Sequence, residues 1–160
     1  MRKEKLVLPA GMRGTAGQQT GFLLQSAHQK ARKALNARLR TLRIETRHLG
    51  VLTLLASSPG LRQKELIERL DLDKSSVVLI LDDLERLGLA KRCPDPHDRR
   101  SHALQITARG RARLAVAKRI ADRLARTIFD GFTPRQRKDL DHALERIIAN
   151  CNRLHERRAS

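Results

Sequence analysis

Aromatic residues are nearly absent from this chain: Phe22, Phe129 and Phe132 are its three, and it has neither Trp nor Tyr. Modules that stack unpaired bases on aromatic platforms therefore have little to stack with, which argues against single-strand recognition. Cysteine is equally scarce, and Cys93 and Cys151 cannot build the disulfide framework of a small secreted domain. No apolar run approaches the ~18 residues that a membrane span needs. The chain opens on basic residues, but Leu6 to Ala10 is too short for the apolar region of a signal peptide, so a cytoplasmic, reducing location is expected. Gly-rich phosphate loops, nucleophile elbows and paired carboxylates in a catalytic arrangement are also missing, so neither an enzyme nor a cofactor is expected.

Positive charge is what the chain has in excess. Lys and Arg number 34 against 17 Asp and Glu, a net +17 over 160 residues, which implies polyanionic company. Hydrophobic residues make up 40%, enough to bury a single core and too much for a disordered basic tail.

The spacing of apolar residues predicts a mainly helical protein. Residues 1–18 carry Pro9, Gly11, Gly14 and Gly17 with no apolar period and read as a mobile arm. Leu24, Ala27, Ala31, Ala34 or Leu35, Leu39 and Leu42 then recur at helical spacing, predicting a long amphipathic helix to about Leu42. Short helices follow around Leu49 to Leu55 and over Gln63 to Leu70. Asp73 is placed to cap the next, whose inward stripe is Val77, Ile80 or Leu81, Leu84 and Leu87, and Gly88 closes it. Residues 89–93 and 102–106 read as two strands joined by the charged stretch Pro94 to Ser101, a hairpin with a basic tip. Thr107 caps a helix to about Phe129, and Thr133-Pro134-Arg135-Gln136 has the pattern of a capping box opening a last helix to about His155.

Two short helices around Asp71-Leu72-Asp73, followed at once by a basic hairpin, form a winged helix-turn-helix arrangement, whose second helix can enter a major groove of double-stranded DNA. Arg99 and Arg100 in the wing are suited to a narrow minor groove, with Asp98 beside them to orient a guanidinium. Lys74, Ser75 and Ser76 open the second helix, where a helix N-terminus attracts phosphate.

Residues 61–110, and above all LDLDKSSVVLILDDLERLGLAKRCPDPHDRRSHALQITARG, closely resemble the MarR family of transcription regulators, and the likeness extends over about Gly21 to Leu154. Its specific parts are Leu81, Leu84, Leu87, Gly88 and Leu89 at the end of the second helix, Asp95 to Arg100 in the wing, and Ile106-Thr107-x-x-Gly110. The resemblance implies that Arg100 is the minor-groove arginine and Asp98 its support. It also implies a homodimer interlocked through its first and last helices, and a small effector, often phenolic, bound between the dimer and DNA-binding regions. On that pattern 19–47 is an N-terminal dimerisation helix, 48–110 the DNA-binding domain and 111–160 the C-terminal dimerisation helices. His28 and His48 fall where relatives form the ligand cavity.

Departures from the pattern fall where bases would be read. Val78 and Leu79 occupy exposed positions often held by Thr and Arg, Asp83 stands at a later Arg position, and Arg62 replaces the usual cap of the preceding helix. An apolar reading face suits thymine methyl groups and DNA shape rather than bidentate pairing with guanine. Residues 60–110 hold 10 basic residues against 9 acidic ones, whereas 1–59 hold 11 against 2 and 111–160 hold 13 against 6. The near-neutral reading module keeps a rival open, a sequence-independent nucleic-acid binder of the nucleoid or ribosome. Cys93, His97 and His102 supply three metal-type donors without a fourth, at a spacing unlike zinc modules, so no metal is expected. Arg92 beside Cys93 is a weak argument for a redox thiol, and Cys151 reads as packing.

Overall fold

The computed structural model describes residues 16–95 and 98–159, with the side chains of residues 95, 98–102 and 155–159 outside that description. The expected mobile arm lies for the most part outside the described residues. Helix α1 (Ala16–Leu39) ends in a 3-10 turn (Arg40–Leu42), and α2 (Thr46–Ser57), α3 (Gln63–Leu70) and α4 (Lys74–Arg86) follow. An antiparallel hairpin, β1 (Ala90–Asp95) with β2 (Asp98–Ile106), leads into α5 (Ala108–Ile128) and α6 (Pro134–Ala159). The molecule is thus mainly α with one small hairpin, and among the described residues no helix is long and apolar enough to cross a membrane. The chain divides into two compact units, the first ending at Asp122 and the second beginning at Arg123.

In the first unit the core gathers the apolar faces of short helices that could not stand alone. Leu39, Val51, Leu52, Leu55, Leu66, Val77, Ile80, Leu81, Leu84 and Leu104 are almost fully buried. The apolar stripe of α1 behaves differently along its length: Leu39 is buried and Leu35 packs on the core, whereas Leu23 and Leu24 are exposed. The chain turns between α3 and α4 through Asp71 in the left-handed region, a conformation that Asp tolerates. The missing cap at Arg62 is made good from the other side: Glu65 accepts the Arg62 backbone N–H at 2.8 Å, half of a capping box.

Helix α4 ends in a Schellman motif, with Leu89 N–H donating to the Leu84 carbonyl and Gly88 N–H to that of Glu85, both at 2.8 Å. Gly88 stands at φ 67°, which explains the glycine there. The exit of β2 is fastened to this same end. Thr107 donates its hydroxyl to the Gly88 carbonyl at 2.8 Å, its hydroxyl oxygen caps α5 by accepting from Gly110 N–H at 2.9 Å, and its backbone N–H donates to the Leu89 carbonyl. Gly110 is required by contact: a Cβ there would stand 2.0 Å from the Leu89 carbonyl oxygen and 2.8 Å from Ile106 Cγ1.

A polar brace joins α2 to α4. His48 is buried at the start of α2, where its Nδ1 accepts the Glu45 backbone N–H at 2.9 Å, so the neutral ring carries its proton on Nε2. That nitrogen faces Asp83 Oδ2 at 3.5 Å, and Asp83 also takes Arg47 at 3.3 Å and Arg86 at 2.8 Å. The hydrogen bond from Arg86 holds the Asp83 carboxyl below the usual carboxylate range. Burial, reinforced by the charge of Arg47, pushes the His48 pKa below its ordinary 6.5, against the opposing pull of Asp83.

The second unit carries its own local order. Phe129 and Phe132 meet edge to face at 5.8 Å between centroids, and the Arg137 guanidinium lies 4.2 Å over the Phe129 ring. The Thr133 capping box forms in full: Gln136 N–H donates to the Thr133 hydroxyl and Thr133 N–H to the Gln136 side chain.

Two outcomes follow from these contacts. Gly110→Ala should lose about 3 kcal/mol of stability in urea unfolding, because the carbonyl it meets is backbone and cannot step aside. Because the native His48 pKa is lowered, the unfolded chain takes the proton first. The stability present above pH 6.5 is therefore lost as the pH falls toward the native value. Thermal melts across a pH series should show this acid-side loss in the natural chain and a flatter profile in His48→Asn, whose amide oxygen can keep the Glu45 hydrogen bond.

Candidate nucleic-acid interface

The buried stripe of α4 decides what its other side presents. With Val77, Ile80, Leu81 and Leu84 inward, Ser75, Leu79, Asp82 and Arg86 fall on the exposed side at intervals of three and four residues. Leu79 is 60% exposed, an unusual position for a leucine in a folded protein and the apolar centre of this face. Val78, expected beside it in the open, is half-buried. Asp83 is turned aside into the brace with Arg47 and Arg86, so it is withdrawn from the face where its sequence position suggested a substitution for arginine.

At the N-terminus of α4, Asp73 caps the helix by accepting from Ser76 N–H at 2.8 Å. Its carboxylate also takes both serine hydroxyls, Ser76 at 2.6 Å and Ser75 at 2.8 Å. These bonds, those of Ser76 first, drive the Asp73 pKa far below the usual carboxylate range. Ser75 and Ser76 therefore direct their hydroxyl hydrogens at Asp73 and offer oxygen lone pairs outward. A phosphate, which needs donors, would have to draw those hydrogens away. Lys74 at the first helical position is exposed and, among the described residues, has no acidic partner.

The wing is longer than its apolar pattern suggested. Strand β1 reaches Asp95 and β2 starts at Asp98, so Arg99 and Arg100 belong to the distal end of β2. The register breaks there, the partner on β2 jumping from His102 opposite Pro94 to Asp98 opposite Asp95. The side chains of Asp98, Arg99 and Arg100 lie outside the described residues, as does His97. At its base the wing gains a third short pairing, as Leu104 N–H donates to the Leu61 carbonyl at 2.8 Å.

Arg92 is the residue that sequence reasoning missed. Its guanidinium bonds Asp82 at 2.8 Å and Glu85 more closely still, while its backbone N–H donates to Glu85 at 2.7 Å. One side chain thus fastens β1 to two consecutive turns of α4. The local signal was only a basic residue in a strand and two acids seven and ten positions earlier. Among the described residues no group of His, Cys, Asp or Glu is arranged to hold a metal.

The two histidines named for an effector are placed apart in character. His28 is exposed on α1, and His48 is buried in the brace. A cavity of about 550 Å³ opens along α1 beside Glu45, lined by Gln29, Arg32, Lys33, Asn36 and Arg40, and neither histidine lines it.

The MarR family model matches residues 44–101. A protein assigned to regulation of the hcr operon in Thauera aromatica is 41% identical over 66 residues, which make up 41% of this chain and 40% of that one. The match thus spans two fifths of that relative's length. A MarR-family transcriptional regulator from Rhodococcus sp. RHA1 is 28% identical over 83% of this chain and 94% of its own, with a TM-score of 0.75. The repressor CouR, solved on a 23-mer DNA duplex, is 29% identical over 85% and 96%, with a TM-score of 0.74. All three are described as transcriptional regulators or repressors. With the family model lying over α2 to the wing, and solved relatives following more than four fifths of the chain, residues 44–101 match the MarR family and the chain has the winged helix-turn-helix fold of its solved members.

Proposed function

We propose that the protein is a homodimeric, sequence-specific DNA-binding regulator that represses transcription from a pseudo-palindromic operator and is released by a small ligand, a phenolic one on the family's pattern. The observation that carries this reading is the exposed face of α4 clamped to a basic wing through Arg92. In the proposal α4 enters the major groove with Leu79 and part of Val78 against thymine methyl groups. Lys74 and the backbone N–H groups of Lys74 and Ser75 meet phosphate, and the Ser75 and Ser76 hydroxyls join them by exchanging Asp73 for the phosphate. Arg99 and Arg100, supported by Asp98, reach the minor groove. CouR on its duplex supports the choice of double-stranded DNA as partner.

The dimer is supported by what the single chain leaves uncovered. Leu23 and Leu24 on α1, and Ile147, Ile148 and Leu154 on α6, are exposed, and such residues on long helices ask for a partner surface. Two-fold symmetry in the protein then calls for two-fold symmetry in the operator. The ligand would act by favouring a spacing of the two α4 helices that does not fit DNA. His28 is placed for such a role more readily than His48, whose ring is engaged in the brace.

One observation favours a second reading, sequence-independent binding: the reading face carries Leu79 and Asp82, and its one arginine, Arg86, is bonded to Asp83, while most of the positive charge lies in the flanking segments. Recovery of bound fragments from sheared genomic DNA at near-physiological salt separates the two. A regulator enriches a few promoter fragments sharing an inverted repeat and prefers them by ~10³ or more; uniform recovery means general binding.

Arg100→Ala should weaken operator binding by about tenfold to a hundredfold while leaving the melting temperature unchanged, and unaltered affinity would remove the wing from this account. In sedimentation the chain should run as a dimer at micromolar concentration, and a stable 18.1 kDa monomer would contradict the proposed assembly.

A further inference from the structure

At the C-terminal end of α4 four arginines converge on one hollow. Arg43 follows the 3-10 turn in the left-handed region, Arg86 lies in the last turn of α4, and Arg109 and Arg113 sit one turn apart at the start of α5. With Thr41 and Glu85 they line a cavity of about 480 Å³.

The local charges do not balance. Both oxygens of Glu85 are taken by Arg92, so the only acid in the lining is already engaged. Arg86 is shared with Asp83, and Arg113 gives one N–H to the Leu42 carbonyl at 2.5 Å. Among the described residues neither Arg43 nor Arg109 has an acidic partner. The C-terminus of α4 supplies at most about half a negative charge, and its last carbonyls are partly satisfied by Gly88 and Leu89. Arg109 reaches over this end, its Nη1 3.9 Å from where a Cβ on Gly88 would stand. Three guanidinium groups therefore face the hollow with most of their N–H donors unused, in a geometry suited to an oxyanion.

We propose that this cavity binds a small phosphorylated molecule through its phosphate group, held by Arg43, Arg109 and Arg113. The site lies at the C-terminal end of α4, apart from the α1 groove and sharing only Arg86 with the exposed face of α4, and its existence does not depend on the DNA-binding reading. Because Arg86 to Gly88 form one wall, a molecule seated there touches the same helix that presents Leu79.

The test is calorimetric titration of the full chain, without DNA, using inorganic phosphate and then pyrophosphate, with ionic strength held constant by chloride. Saturable binding is expected, weakened tenfold or more in Arg43→Gln/Arg109→Gln with the melting temperature unchanged. Arg113 is left in place because it holds the Leu42 carbonyl. Absence of saturable binding up to tens of millimolar overturns the proposal, as does binding that survives the double variant and is lost instead in Arg99→Gln/Arg100→Gln. A third arm measures a non-specific duplex: if the Arg43/Arg109 pair weakens duplex binding and free phosphate does not saturate, the arginines serve the DNA backbone and the small-molecule site is overturned.

Discussion

The burial of Val77, Ile80, Leu81 and Leu84 on one side of α4 governs the rest of the molecule, because every candidate function is read from how that helix is rolled. An apolar stripe alone fixes rotation only loosely, since neighbouring leucines can exchange places at modest cost. Polar contacts remove that freedom from three directions. Asp83 ties α4 to α2, Arg92 ties it to β1, and Thr107 ties its terminal Gly88 carbonyl to the start of α5. Each is a charged or hydroxyl contact with defined geometry, so a small rotation of α4 would break all three together.

How much of this was legible in the sequence depends on the range of the interaction. The Asp73 cap, the Thr133 capping box and the Thr107–Gly110 motif act within a few residues, and their side chains are found where local spacing placed them. The roles of Asp83 and Arg92 were not legible, because their partners lie 36 and 10 residues away and only the tertiary fold brings them together. Asp83 read as a lost DNA contact because its position on the helix was known while its partner on α2 was not. The α1 stripe misled in the other direction. Its period is uniform, yet this chain's core covers only the C-terminal part, and nothing in a hydrophobic pattern says whether its own chain or another will cover it. In the wing, polar residues at its distal end hid strand geometry that period-two alternation would have revealed.

The same contacts change the meaning of the near-neutral charge of residues 60–110. An even count of acids and bases would suggest a surface indifferent to DNA, but the acids are not evenly placed. Asp82, Asp83 and Glu85 all fall in the C-terminal half of α4, and each is bonded to an arginine that positions the helix. The N-terminal half carries Lys74, the backbone N–H groups of Lys74 and Ser75 and the apolar Leu79. Charges further apart than about 10 Å are largely screened at 0.1 M salt, so a ligand at one end of α4 responds to that end and not to the sum. Asp73 is the exception, an acid at the N-terminal end, and its bonds to Ser75 and Ser76 spread its charge over donors that would otherwise face outward.

This polarity within one helix bears on how a sequence could be told from its neighbours. The one arginine of the outer face, Arg86, is bonded to Asp83, so in the proposed reading base identity would be sensed through methyl contact at Leu79 and through the shape that lets α4 and the wing seat together. Shape sensing needs a rigid probe, because a loosely jointed helix and wing would follow any groove. The clamp of Arg92 onto two turns of α4 supplies that rigidity, so the acidic residues that appear to weaken a DNA-binding helix are also what would let it discriminate.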